Sequence, residues 1–318
     1  MFIENFKVTL IAVSQIFLLS AAGFYLVKKS FLSSQGLDDL SRLVMDFTLP
    51  LLIFCQLIKD FSFNLYPNWW VFPLVSIAIT SLGLLTGAVF LGFLKKEQEK
   101  LQFLSLSGFQ NSGYLPLALI AALFYPQKSG EIFIYLFLFL TGFNLVIFSL
   151  GVYILNFHKE QKFKVRSLFS APVVATIFSL LLIYFGLHKF LPEFLLSPLT
   201  MLGNTTLPLA MLVVGGSLAQ LKIKDINKKA MAFLVLAKMI ILPFLGLALM
   251  KVFNISGTVG LLILIQLAMP SAVTISTILR AYKKEDLLSS QGILITHIAA
   301  IVTIPVFLIL YFDRFMIK

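Results

Sequence analysis

Long apolar segments separated by short polar gaps run through the whole of this 318-residue sequence. Ten of these segments reach the length of about 20 residues that an α-helix needs to cross the hydrocarbon core of a bilayer. They lie at residues 8–27, 39–58, 70–94, 101–124, 132–156, 168–187, 194–220, 230–252, 257–280 and 289–312. The pattern therefore predicts an all-α polytopic membrane protein with ten transmembrane helices.

Polar and helix-breaking residues interrupt two of these segments near their middle. The fourth contains Gln110-Asn111-Ser112-Gly113-Tyr114-Leu115-Pro116, and the ninth contains Gln266-Leu267-Ala268-Met269-Pro270-Ser271-Ala272-Val273-Thr274. Because hydrocarbon offers no hydrogen-bond partners, the backbone groups that a proline or glycine releases must face protein or a water-filled cavity. A proline kink that serves only packing would explain one interruption, but a pair at corresponding places favours a transport site.

The two halves of the chain carry matching motifs, as an internal duplication would produce. Gln110 and Gln266 are 156 residues apart. Thr-Leu-Pro-Leu occurs at residues 48–51 and again at 206–209, a separation of 158 residues. We therefore predict two five-helix repeats, residues 1–158 and 159–318.

Lys and Arg are distributed unequally between two sets of gaps. The gaps after the first, third, fifth, seventh and ninth segments hold 17 of them, whereas the other gaps and the termini hold seven. Since basic residues concentrate on the cytoplasmic side, both termini are predicted to lie outside a cytoplasmic (inner) membrane. Five segments then separate the start of one repeat from the start of the other, so the predicted repeat is inverted.

Composition and charge exclude several other classes of protein. Hydrophobic residues make up 59% of the chain and charged residues only 12%, against about a quarter charged in soluble domains. The formal charge of +11 does not indicate nucleic-acid binding, because the basic residues lie in gaps between membrane segments rather than on one soluble face. Cys55 is the single cysteine and stands in an apolar run, so there is no disulfide framework and no thiol-based metal site.

Ionisable and amide side chains inside the apolar segments are candidates for function, because they are costly in lipid. Asp46, Lys238 and Asn204 are the candidate coupling or electrostatic residues. Asp46 would be stabilised either by an ion pair with Lys238 or by holding a proton, whereas Lys238 could instead extend its ammonium to the interface. Asn204 lies four residues before a proline, so a hydrogen-bonded kink is its simpler interpretation. For His297 the simpler interpretation is a neutral residue that serves packing.

Several motifs occur in an order and spacing similar to those of a known family. They are Leu40-Ser41-Arg42-Leu43-Val44 with Leu49-Pro50, then Asn111, Gly113 and Tyr114, then Leu202-Gly203, Pro208-Leu209-Ala210 and Gly216-Ser217-Leu218, and finally Pro270 with Tyr282. Together with the ten segments they resemble the auxin efflux carrier family, whose plant members are the PIN auxin exporters and whose bacterial members include malate and malonate permeases. Two positions depart from the family pattern. Thr274 stands where the family often has asparagine, and Pro116 comes slightly earlier than the first crossover proline usually does.

The resemblance implies an inverted repeat of five plus five helices, in which the fourth and ninth are unwound and cross. The first two helices of each half would form a scaffold, and the last three a transport domain that moves against it in an elevator-like alternating-access mechanism. Half-helix N-termini carry partial positive charge, so a pair of them at the crossover suits the carboxylate of a small organic anion. The predicted substrate-binding residues are Gln110, Asn111, Gly113, Tyr114, Pro116, Gln266, Pro270 and Thr274. A homodimer through the scaffold helices is left open.

Other functions are weighed against this one. A sodium symporter of the bile acid type has a related fold but carries sodium ligands beside the crossovers, where this chain has only neutral amides and hydroxyls. An enzyme is disfavoured because the apolar segments contain no His-Glu-x-x-His, Gly-x-Ser-x-Gly or paired catalytic aspartates. A receptor is disfavoured because the gaps are too short for a soluble output domain. No ATP-binding loop motif occurs and no cofactor is expected, so uphill transport would use an ion gradient or the membrane potential.

Overall fold

The computed structural model describes residues 2–124, 130–155, 168–221, 226–282 and 286–315. Within these ranges the chain is all-α, as predicted, and contains no β-strand. The helices are α1 (Phe2–Lys28), α2 (Ser34–Asp60), α3 (Val71–Ala88), α4 (Glu97–Gly108), α5 (Tyr114–Phe124), α6 (Gly130–Leu155), α7 (Ala171–Tyr184), α8 (Glu193–Ala219), α9 (Lys228–Val252), α10 (Gly257–Ala268), α11 (Thr274–Ala281) and α12 (Leu287–Phe315). The predicted boundary between the repeats and ten of the basic residues in the predicted gaps and termini lie outside the described residues.

Seven of the described helices are long and apolar enough to cross a membrane: α1, α2, α3, α6, α8, α9 and α12. Three shorter apolar helices, α5, α7 and α10, fall inside the fourth, sixth and ninth predicted segments. Helix α7 has 14 residues, about 21 Å at 1.5 Å per residue, and is shorter than the segment predicted at 168–187. It ends because Gly186 adopts a left-handed conformation with φ of 71°, after which the chain continues as a 3-10 turn, Leu187–Phe190.

The two interruptions predicted in the fourth and ninth segments are confirmed. Helix α4 ends at Gly108 and α5 begins at Tyr114, whereas α10 ends at Ala268 and α11 begins at Thr274, so each gap is five residues long. Pro116 lies in the first turn of α5, where a missing N–H has no acceptor within the helix anyway. It therefore helps to start α5 and is not part of the break.

Helices α2 and α9 each contain a π-helical turn just before a proline. The turn in α2 contains Asp46 and precedes Pro50, and the turn in α9 contains Lys238 and precedes Pro243. A proline ring displaces the carbonyl four residues earlier and removes one hydrogen bond, and the wider π turn absorbs that change without ending the helix. Asp46 and Lys238, the two candidate coupling residues with ionisable side chains, thus both lie where the helix geometry is irregular.

The helices pack in two groups. In the first, α1 runs along the second half of α8, and α2 packs against α7 and the first half of α8. The contact of α1 with α8 needs small residues, since a Cβ on Gly215 would lie 1.6 Å from the Ser20 carbonyl oxygen. In the second group α3 packs on α6 and α4, and α12 packs on α10, α4 and α9, while α12 also packs along α1 of the first group. Helix α5 contacts α1 and α8 as well as α6, so it lies between the two groups.

Candidate functional site at the helix crossover

The two five-residue gaps meet and run antiparallel to each other. An isolated bridge pairs Gln110 with Ser271. On one side of this pair the main-chain N–H of Asn111 donates to the Pro270 carbonyl at 2.8 Å, and on the other side a second main-chain bond of 2.9 Å joins the gaps. The bridge satisfies backbone groups that the helix breaks would otherwise leave unpaired in apolar surroundings.

The carbonyl groups at the end of α4 are hydrogen-bonded by side chains from distant parts of the chain. Ser271 donates from Oγ to the Leu106 carbonyl at 2.8 Å, and Lys238 donates from Nζ to the Ser107 carbonyl at 2.9 Å. The main-chain N–H of Ser271 in turn donates to Thr296 Oγ1 at 3.2 Å. Because a helix end leaves its last carbonyls without partners, these bonds stabilise the break.

A cavity of about 80 Å³ lies beside the paired gaps. It is lined by Met45, Leu49, Gln110, Asn111, Ser112, Gly113, Tyr114, Leu140, Phe143, Asn144, Pro172, Ala272, Val273 and Thr274. Five of the eight predicted substrate-binding residues are in this lining: Gln110, Asn111, Gly113, Tyr114 and Thr274. The crossover thus contributes most of the polar groups, and α2, α6 and α7 contribute mainly apolar side chains.

Three side chains at this cavity, those of Gln110, Ser112 and Tyr114, have buried polar atoms without a hydrogen-bond partner among the described residues. The side-chain amide of Gln110 is unpaired at both its oxygen and its nitrogen, although the residue is fully buried. The Ser112 hydroxyl is likewise unpaired, at 2% exposure. An unpaired buried polar group costs about 1–3 kcal/mol. A ligand that hydrogen-bonds these groups would remove that cost, so the cavity has the chemistry of a binding site.

Helices α5 and α11 both begin at the cavity, and their first residues, Tyr114 and Thr274, are part of its lining. The first N–H groups of a helix have no acceptor within it and carry partial positive charge, so two N-termini at one cavity favour an anion. Lys238 is not itself a lining residue, but its acceptor Ser107 lies three residues before the lining residue Gln110.

The other three predicted binding residues lie behind the cavity wall. Gln266 is fully buried in α10 and donates from Nε2 to the Ser112 carbonyl at 3.2 Å. Pro270 supplies the carbonyl that accepts the Asn111 N–H, and Pro116 is buried in the first turn of α5. In this structure all three support the crossover and do not line the cavity.

Lys238 is the most deeply buried cation in the described part of the chain, at 1% exposure. Its partner is the Ser107 carbonyl, because the π turn of α9 packs on α3, α10 and α12. The ion pair with Asp46 that the sequence left open does not occur among the described salt bridges. The ammonium is also not extended to an interface, so that second interpretation of Lys238 is wrong.

Asp46 and Asn204 differ in their relation to the cavity, although they stand at equivalent places in the sequence. Asp46 is exposed on α2, directly after the cavity-lining Met45, and lies within electrostatic range of the Tyr114 hydroxyl. Asn204 is exposed on α8 and does not line the cavity. The structure therefore brings Asp46 close to the candidate site and leaves Asn204 outside it.

His297 lies buried in α12, with Nδ1 2.8 Å from the Ile293 carbonyl oxygen. Since a carbonyl only accepts, Nδ1 carries a proton, and Nε2 has no partner among the described residues. The bond to its own helix agrees with a packing role.

Ser112, Asn144 and Ser271 are not among the binding residues predicted from the sequence. Ser112 and Ser271 lie inside the interruptions, beside the amides and prolines that were predicted to bind the substrate. Asn144 is an amide in the middle of an apolar helix, and that signal could have identified it. No sequence pattern could have identified the apolar lining, such as Leu49, because it depends on which face of α2 meets the crossover.

Two comparisons with known proteins bear on function. A family profile described as membrane transport protein matches residues 8–170 and 157–308, and these matches include both interrupted segments. An uncharacterized transporter of Methanocaldococcus jannaschii is 24% identical over 294 residues, which are 88% of this chain and 92% of that protein.

Proposed function

Because the chain belongs to the membrane transport protein family, the family of the auxin efflux carriers, we propose that it is a secondary transporter of a small organic anion. The family assignment confirms the resemblance of its motifs, and it makes the chain a multi-pass membrane protein of a transporter family, not of an enzyme family. The observation that carries the proposal is the crossover cavity, where two helix N-termini meet the buried, unpaired side chains of Gln110 and Ser112.

The proposed architecture is the ten-helix inverted repeat, with residues 1–158 and 159–318 as its halves. Interruptions of equal length at corresponding places support it. So do the two Thr-Leu-Pro-Leu motifs, since each lies at a local irregularity: the π turn of α2 ends at Thr48, and α8 is interrupted at Thr205. A duplicated unit would repeat such irregularities.

The proposed mechanism is elevator-like alternating access. The first group of helices, α1, α2, α7 and α8, would be the scaffold, and the second group would carry the crossover as the transport domain. Packing within each group supports this division, and contacts of α1 with α12, of α5 with α1 and α8, and of α6 with α2 and α7 join the two groups. The cavity lies where α2 and α7 face the crossover, so sliding of one group against the other would change the side from which the cavity opens. A homodimer through the scaffold helices would be compatible with this movement.

An ion gradient or the membrane potential would supply the energy. Moving one negative charge outward across an inside-negative membrane gains roughly 2.3 kcal/mol per 100 mV. Asp46 is the residue proposed to couple transport to protons, because it is the carboxylate found next to the lining.

The alternative is a sodium-coupled organic anion symporter of the bile acid type. Two observations disfavour it. No carboxylate is among the described lining residues, and Lys238 Nζ already donates to the Ser107 carbonyl, a position at a helix end where a bound cation would otherwise be favourable.

Ligand binding and flux with the purified protein test the proposal. Monocarboxylates, dicarboxylates and indole acids are screened for a rise in the Tm of unfolding, because a ligand that binds only the folded state stabilises it. The stabilising compound is then followed into proteoliposomes. We expect carboxylate flux that does not depend on sodium. Binding without flux would indicate a receptor, and binding that requires sodium would favour the alternative.

A further inference from the structure

We propose that the crossover cavity selects a monocarboxylate with a small apolar body over a dicarboxylate of the same chain length. The inference rests on the proposed function, since it names the class of anion that the transporter would take. Three properties of the cavity carry it: the distribution of hydrogen-bonding groups, the charges around it and its size.

Hydrogen-bonding groups are concentrated on one side of the cavity. The crossover offers the amide of Asn111, the unpaired groups of Gln110 and Ser112, and the N-terminus of α11. The side opposite is formed by Met45 and Leu49 on α2, with apolar side chains of α6 and α7. A guest whose carboxylate binds at the crossover therefore places the rest of its body against apolar surface.

The charges around the cavity favour one carboxylate and disfavour a second. No described lining residue is positively charged, and Lys238 is bonded on the crossover side. Asp46 on α2 lies within electrostatic range of the lining residue Tyr114, so a second carboxylate on that side would meet a charge of the same sign. Asn144 is the amide that α6 contributes, and a neutral amide cannot compensate the desolvation of a second ionised group.

The volume limits the part of the guest that lies inside the cavity. A buried water needs about 10–15 Å³, so the cavity of about 80 Å³ accommodates about five to eight non-hydrogen atoms. Propionate and butyrate fit entirely within this range, whereas an indole acid would extend out of the open side of the cavity. Succinate is at the upper end of the range, so its rejection depends on charge and not on size.

Matched carboxylates distinguish these possibilities. Butyrate and succinate share a four-carbon chain and differ in the second carboxylate, and butyramide is the uncharged control. By calorimetry with the purified full-length protein at neutral pH, we expect butyrate to bind about tenfold or more tightly than succinate, with no measurable binding of butyramide. Tighter binding of succinate would overturn the inference and leave a carboxylate transporter standing. Failure of every carboxylate to bind would overturn both.

A substitution on the apolar side tests the cause of the selectivity. Met45→Lys adds a cation there and is expected to reduce the preference for butyrate about tenfold, or to reverse it, while Met45→Leu keeps the wild-type ratio. A folded Met45→Lys protein with an unchanged ratio would contradict the inference. If Met45→Lys does not fold, Asp46→Asn removes the repelling charge, and it too must reduce the preference.

Discussion

At the crossover, the hydrogen bonds of individual buried side chains distinguish residues that support the structure from residues that are available to a ligand. Ser271 Oγ and Gln266 Nε2 donate to carbonyl groups of the other broken segment, and these bonds hold the two breaks together, although Gln266 Oε1 is itself unpaired among the described residues. Gln110 and Ser112 are equally buried, yet their side chains are bonded to no described residue. Since buried polar groups are normally paired, unpaired ones beside a cavity indicate a ligand.

Asn111 is the residue whose loss should affect transport most. Its main-chain N–H holds the bridge and does not depend on the side chain, whereas its side-chain amide lines the cavity. We therefore expect Asn111→Ala to abolish flux in proteoliposomes while expression and Tm stay at the wild-type level. Asn64→Ala, an exposed asparagine outside the cavity, is the matched control and should transport normally. Normal flux by Asn111→Ala would remove the central site assignment.

Asp46 is the residue on which proton coupling would depend. An amide cannot bind a proton at neutral pH, so Asp46→Asn should make flux insensitive to an imposed pH gradient while the substrate still binds. The measurement compares initial rates in proteoliposomes with and without the gradient, for the variant and the wild type. Full retention of the pH response in the variant would exclude this role.

At the scale of helices, local sequence accounts for where elements break, and small residues account for how closely they pack. Proline explains the π turns of α2 and α9, and glycine in a left-handed conformation explains the early end of α7. The close approach of α1 to α8 has a different cause, the absence of a side chain at Gly215.

Gly215→Ala tests that approach. The added Cβ would lie 1.6 Å from the Ser20 carbonyl oxygen, so the helices must separate. Overpacking of this kind typically costs about 1–3 kcal/mol, and we expect a clear fall in Tm. Gly92→Ala is the control, because a Cβ there has no neighbour within 4 Å. Equal Tm values for the two variants would show that α1 and α8 are not packed as described.

At the scale of the whole molecule, the distribution of basic residues predicts which side of the membrane each loop faces. An engineered cysteine can report this, since Cys55 is buried and free. Lys189 and Lys95 are exposed residues in gaps on opposite sides of the predicted arrangement. With a membrane-impermeant maleimide on intact cells, we expect Lys189→Cys to be labelled. Lys95→Cys should react only after permeabilisation. The reverse labelling pattern would show that the predicted orientation in the membrane is wrong.

Local patterns explain which parts of the site were predictable. Gln110, Asn111, Gly113, Tyr114 and Thr274 were found because a polar break in an apolar run is visible in the sequence alone. One assignment was left open because it depended on the direction in which a side chain points. The partner of Lys238 could not be chosen, since burial and the packing of α9 decide which acceptor it reaches.

The sequence by itself determined the apolar helices, the two interruptions and the family, because hydrophobic length, proline and motif spacing are properties of neighbouring residues. Only the tertiary structure decided that the interruptions pair through Gln110 and Ser271, and that Lys238 reaches Ser107, 131 residues away. It also decided that α2 closes the cavity from its apolar side. Contacts of this kind depend on how helices far apart in the chain pack against one another, and no local pattern encodes that.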